Sequence, residues 1–316
     1  MNRVTTVTSA DAIAPLVRVR VGGDSSSEIG PNILRCSERG MAKLAKVADA
    51  LNFPEGPAYD GKSTVCISNC YGGWITRYSE GVKDTFISKV DDSLLIEKTN
   101  GLAFGYDGSL FVCEYGKGKI LRVSPDRKIE VYSDGYKGEK FNRPNDLTFD
   151  KNGNLFFTDP KSYDKNILDG RIFFVDANTK ETKLLEDSLA FPNGINISPI
   201  DGKLYVCESA KQIIVRFDIT RENKLINKEN FVEIPGGDPD GIEFDVEGNL
   251  FVAHFGGKAI YIFSPEGELL QKIETPGSKP TNLEFADEDY KTLYLTEVET
   301  NALYRIRTKH SGKNNN

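Results

Sequence analysis

The stretch RPNDLTFDKNGNLFFTDP, Arg143–Pro160, decides the fold. A proline and a polar pair lead into a short apolar run, a turn around Asn152-Gly153, and a second short apolar run. Runs this short, rich in Leu, Phe and Thr and separated by turn residues, predict a tight β-hairpin rather than a helix. The pattern recurs on both sides. FPEGPAYD starts at Phe53, TNGLAFGYDGSLFVCEY at Thr99, FPNGINISPIDGKLYVCES at Phe191, DPDGIEFDVEGNLFVAHF at Asp238 and KPTNLEFADEDYKTLYLTEV at Lys279.

The six copies align on one polar residue each: Glu55, Asn100, Asn145, Asn193, Asp240 and Asn282. Their separations of 45, 45, 48, 47 and 42 residues suit one four-stranded propeller blade apiece. The fold predicted is all-β, a six-bladed β-propeller with four-stranded blades around a central channel. Leucine-rich repeats need a shorter period, and helical repeats need 3.6-residue apolar spacing. Residues 44–308 form the propeller on this reading, with 1–43 a disordered extension and 309–316 a disordered tail. Leu44–Asn52 can supply the outer strand of the last blade, whose third strand is TNALYRIR, Thr300–Arg307. Closing the ring in this way hides an edge strand.

Composition narrows the function. The net charge of −7 over 316 residues argues against a nucleic-acid surface, which needs clustered Lys and Arg. No run approaches 18 apolar residues, so no membrane-spanning helix is expected. The five cysteines, Cys36, Cys66, Cys70, Cys113 and Cys207, show no disulfide framework or zinc spacing and read as free thiols in a reducing compartment such as the cytoplasm. The first 43 residues lack the apolar core of a secretory signal, and their Arg, Ser and Thr echo an organelle transit peptide. Oligomeric state is not legible.

Repeats convert register into geometry. The six aligned residues should ring one mouth of the channel. A second ring is expected 14 or 15 residues on, where each second strand returns: Asn69, Glu114, Asp159, Glu208, His254 and Glu297. Two plainer explanations compete: Asn and Asp make Asx turns before strands, and strand ends are often polar. Glu55 fits neither well, because Glu has no comparable turn role. Convergent carboxylates and amides without His or Cys clusters suit a hard cation, calcium before magnesium, with manganese and zinc open.

The strings FPEGPAYD, RPNDLTFD with FFTDP, FPNGINIS and DPDGIEFD resemble the gluconolactonase, regucalcin (senescence marker protein) and luciferin-regenerating-like family. The likeness to bacterial gluconolactonases and drug-responsive lactonases is strongest in VADALNFPEGPAYD, and it runs from about Lys46 to Arg307. It implies a propeller with one catalytic divalent metal, held by Glu55, Asn193 and Asp240, with Asn145 a ligand or a substrate contact. It further implies Asp240 as general base, Arg143 as a lactone contact, and Asp159 as a group facing substrate that could also take the proton. The implied activity is metal-dependent opening of a small, sugar-like lactone by water. No G-x-S-x-G elbow is present, and a Ser-His triad would depend on His254. Two alternatives stand beside the lactonase: a phosphotriesterase of the diisopropyl fluorophosphatase type, and a non-catalytic calcium- or ligand-binding scaffold. Specificity is expected from the loops Lys89–Lys98, Tyr136–Asn142 and Pro160–Asp169, the last a candidate lid.

Overall fold

The computed structural model describes residues 43–89 and 95–313. The expected N-terminal extension lies, but for its last residue, outside the described residues, as do Cys36 and residues 314–316. The described chain forms six four-stranded antiparallel sheets. Their innermost strands are Pro54–Tyr59, Thr99–Phe104, Leu147–Phe149, Pro192–Ile197, Asp238–Phe244 and Pro280–Ala286. In blades 1 to 5 the chain runs outward through four successive strands. Blade 6 takes its outer strand from Ala45–Ala48, which pairs with Ala302–Arg307. The chain therefore closes its own ring.

Turn chemistry builds each hairpin. Asp150 Oδ1 accepts the amides of Asn152 and Asn154, and Gly153 sits at φ +78°. That is the left-handed conformation a side chain resists and the turn requires. The second strands are buried almost throughout, and Leu155–Asp159 and Leu204–Glu208 at every position. A strand with one wet face would alternate; these do not, because each blade is covered by a neighbour on both faces.

The apolar core lies between the blades. Phe156 and Phe174 of blade 3 pack with Ile195, Leu204 and Val215 of blade 4. The same arrangement at the closure brings Ala48, Tyr294 and Leu303 of blade 6 against Tyr59, Val65 and Ile67 of blade 1. Each such side chain contributes about 1.5–3 kcal/mol by burial. Cys66, Cys70, Cys113 and Cys207 are free and buried.

Of the segment expected to be a disordered tail, residues 309–313 are described, and they run back to the channel end where the inner strands finish. Ser311 O accepts the Val246 amide, the Gly312 amide reaches Tyr290 O and the Lys313 amide reaches Phe244 O. The Lys313 ammonium enters the channel and donates to Asn196 Oδ1 and, at 3.0 Å, to Ile197 O. Glu243 and Glu284 face it electrostatically. A basic side chain finding carboxylates at the axis explains why these five residues, four of them polar, stay on the body.

Candidate metal and active site

Each inner strand starts with an irregularity that aims the first ring. In five blades the register with the second strand shifts at the ring residue or beside it, for example between Glu55 and Ala58 and between Pro239 and Ile242. Such bulges turn a side chain out of the ladder. In blade 3 the ladder itself starts at Leu147, leaving Asn145 and Asp146 just ahead of it. The residue after the ring position is glycine in four blades because the next blade's backbone stands there. A Cβ on Gly101 would lie 2.6 Å from Asn145 O, and one on Gly194 would lie 2.1 Å from Asp240 O. Hydroxyls lock the blades at the same level: Thr158 Oγ1 donates to Asn193 O at 2.7 Å, and Thr281 Oγ1 to Pro54 O at 2.8 Å.

Glu55, Asn145, Asn193 and Asp240 are all buried at this mouth, each 7–9% exposed. Burial and the nearby Asp146 raise the Glu55 carboxyl to about 8. Burial first, then Glu55, Asp238 and Asp146, push Asp240 well above the carboxylate range, against a hydrogen bond from Asn193. Glu55 is thus one of the charges that raise Asp240, and a cation held by both carboxylates would relieve that repulsion. The donor set is two carboxylates and two amide oxygens, which fits a hard oxygen-seeking ion such as calcium. Among the described residues no group of three His, Cys, Asp or Glu side chains is spaced to hold a metal.

The sequence reading missed Asp146. It lies in the channel below the ring, where burial raises it to about 7. Its oxygens take the Leu147 amide at 3.0 Å and Asn282 Nδ2 at 3.3 Å. The signal was available: four repeats have glycine after the ring position, and blade 3 alone has an acid. Asn282 is thereby a partner of Asp146, and its own Oδ1 accepts the Leu283 amide.

The second ring does not join the first. Its members are almost wholly buried, and each binds the segment leading into its own blade. Asn69 takes the Asn52 amide, Glu114 the amides of Glu97 and Lys98, Glu208 that of Ala190, and Glu297 that of Lys279. His254 Nε2 meets Ile234 O at 3.1 Å, and burial lowers its pKa, keeping it neutral. Asp159 accepts the amides of Arg143 at 2.7 Å and Asn142 at 3.1 Å, and pairs with Arg171 at 2.6 Å. Burial raises it against those donors. Both its oxygens are occupied, so the structure gives it the work of an anchor rather than that of a group facing substrate. Strand ends buried between blades must satisfy loop amides, which is why this ring is polar.

Arg143 is exposed at the mouth, with Nη1 3.3 Å from Tyr115 Oη. In the Pro160–Asp169 loop, Tyr163 Oη donates to Asp238 Oδ2 at 2.7 Å, two residues from Asp240. The Tyr163 ring stands edge-on to Phe191 at 5.2 Å.

Known proteins are similar to this chain in sequence and fold. Residues 53–299 match the family described as SMP-30/Gluconolactonase/LRE-like region, and the chain belongs to that family. It is 36% identical over 233 residues to a gluconolactonase of Zymomonas mobilis, covering 68% of this chain and 64% of that one. It therefore spans just under two thirds of that relative. Identity to the diisopropyl-fluorophosphatase of Loligo vulgaris is 30% over 220 residues, 65% of this chain and 69% of that enzyme. A gluconolactonase structure from Xanthomonas campestris superposes with a TM-score of 0.74 at 27% identity, covering 84% of this chain and 89% of that one.

Proposed function

We propose that this protein is a divalent-metal-dependent hydrolase that opens a small lactone by attack of water. The carrying observation is the buried pair Glu55 and Asp240, both raised by burial and Asp240 also by Glu55, in one ring with Asn145 and Asn193. A pure scaffold has no need of two buried carboxylates in one ring at the axis. Glu55, Asn145, Asn193 and Asp240 would hold a calcium ion, which when bound polarises the lactone carbonyl and stabilises the developing oxyanion.

The chain's own part follows. Asn193 bonds Asp240 and fixes its carboxylate, which, deprotonated once the cation is bound, would accept the proton of the attacking water. Asp159 anchors the amide of Arg143, and Arg143 receives the substrate at the rim. Tyr163, tied to Asp238, narrows access for bulk solvent. The test is metal analysis joined to a lactone panel with and without chelator. Hydrolysis lost on chelation and restored by calcium supports the assignment; hydrolysis indifferent to chelation overturns it.

A phosphotriesterase reading has its own support. Aromatic residues neighbour the first ring: Phe53 packs with Tyr71, Phe191 with Tyr163, and Tyr115 with Arg143. The same donors would serve a phosphoryl centre, and the squid relative is named for that chemistry. Parallel assays on lactones and organophosphates separate the two.

A further inference from the structure

Two residues before each first-ring position stand Phe53, Lys98, Arg143, Phe191, Asp238 and Pro280. Equivalent register places these six in an outer ring around the mouth. The ring is unequal. Blades 2 and 3 contribute adjacent cations, blades 1 and 4 aromatic rings, and blade 5 a carboxylate. Phe53 and Phe191 both sit at φ +54°. A bulky side chain holds that conformation only where its surroundings enforce it, and functional mouths are such places.

The cations are held rather than free. Glu114 accepts the Lys98 amide at 2.6 Å, and Asp159 accepts the Arg143 amide at 2.7 Å, so both backbones are fixed by buried carboxylates. The Lys98 ammonium lies 5.6 Å from the Tyr71 ring centre, and the Tyr71 ring packs, tilted, against Phe53 at 4.4 Å. The Arg143 guanidinium lies 5.9 Å from the Tyr115 ring centre. Tyr71 feels the charges of both Tyr115 and Glu55, so this arc adjoins the metal-ligand ring. Among the described residues, no carboxylate lies within ion-pair distance of either cation. Elsewhere, Arg77, Arg122, Arg171, Arg216 and Arg307 all have such partners. On the far side of the ring Asp238 is hydrogen-bonded by Tyr163 and presents the opposite sign.

Two fixed cations with no carboxylate in ion-pair distance among the described residues, beside the proposed hydrolytic centre and opposite a carboxylate, make a directional anion site. We propose that the substrate carries an anionic group, such as a carboxylate, sulfonate or phosphate, seated on Lys98 and Arg143, with its apolar face against Tyr71 and Tyr115. Asp238 repels the reversed orientation, so the lactone carbonyl is delivered toward Asp240. This reading rests on the proposed hydrolase and narrows its substrate class.

The test pairs a neutral lactone with one of the same ring bearing a carboxylate. Both are assayed on the full chain with calcium, on Lys98→Met, and on the Lys98→Met/Arg143→Met double variant. Wild-type protein is expected to prefer the anionic lactone by about tenfold or more in kcat/KM at low salt. The preference falls with ionic strength, and falls in the variants chiefly through KM. Equal use of the two lactones, or a preference that survives the double variant, overturns the proposal. Calorimetry with the ring-opened hydroxy acids, one bearing the extra carboxylate and one not, is read independently of turnover. Charge-selective binding lost in the double variant supports the anion site even if no lactone is hydrolysed, an outcome that would instead refute the hydrolase.

Discussion

Lys313→Met offers the sharpest test of how the channel is assembled. The ammonium donates to Asn196 Oδ1 and Ile197 O, and Asn196 Nδ2 passes the contact to Glu243 Oε1 at 3.0 Å. Glu243 and Glu284 are both raised by burial, and the Lys313 charge pulls both down. Methionine keeps the length of the side chain and removes the charge. Two charge-assisted hydrogen bonds are lost, each worth about 1.5–3 kcal/mol, and two carboxylates keep their burial without their cation. Removing one side of a buried charge arrangement costs about 3–5 kcal/mol. At about 2–4 °C per kcal/mol for a domain near this size, the melting temperature should fall by about 6–20 °C.

The pH dependence carries the mechanism. A carboxyl raised on folding contributes stability that is full below its unfolded pKa and is lost as pH rises through its folded one. Without Lys313 both folded values rise further, so the deficit should widen toward about pH 8 and narrow toward about pH 5. Melting curves by circular dichroism across that range would show it. Neutralising Glu243→Gln and Glu284→Gln in the Lys313→Met background should recover much of the loss at the alkaline end. A deficit that is flat in pH and unmoved by that neutralisation would refute the electrostatic account and leave only lost packing.

Other outcomes follow from the same geometry. Burial, with Asp146, raises Glu55 to about 8, and burial, with Glu55, pushes Asp240 well above the usual carboxylate range, so calcium binding near neutral pH should release protons. Calorimetry in buffers of different ionisation enthalpy would count them, and metal affinity should rise with pH. Asp159→Asn should destabilise the fold by about 3–5 kcal/mol by unpairing Arg171. It should raise KM for an anionic lactone through Arg143 while leaving the limbs of the pH–rate profile in place; loss of a limb would restore Asp159 as the base. Phe156→Ala, in the seam between blades 3 and 4, should cost about 3–5 kcal/mol in urea unfolding.

Most of the architecture was legible because repetition turns sequence spacing into angle. Closure by Ala45–Ala48 followed from the strand count of the last repeat. The first ring was legible for the same reason, and the unlike residue Glu55 marked the side proposed to hold a metal. The second ring was misjudged in function, because its polar character satisfies loop amides between blades, a demand that spacing does not reveal. Asp146 shows in the sequence only as a break in the glycine pattern that follows the ring positions, a signal carried by the neighbours of the ring residues and not by the ring itself. The place of Lys313 was illegible. Five residues carry no periodicity, and their partners Asn196, Glu243 and Glu284 come from the far ends of three inner strands.

The central claim is that four residues from four blades make one metal site on which hydrolysis depends. Calcium titration by calorimetry, on wild-type protein and on Glu55→Gln and Asp240→Asn, tests it most directly. The account predicts one site per chain in the wild type, accompanied by proton release and absent or weakened at least about a hundredfold in both variants. Undiminished calcium binding by either variant, or a folded wild-type protein with no affinity for a divalent cation, would contradict it.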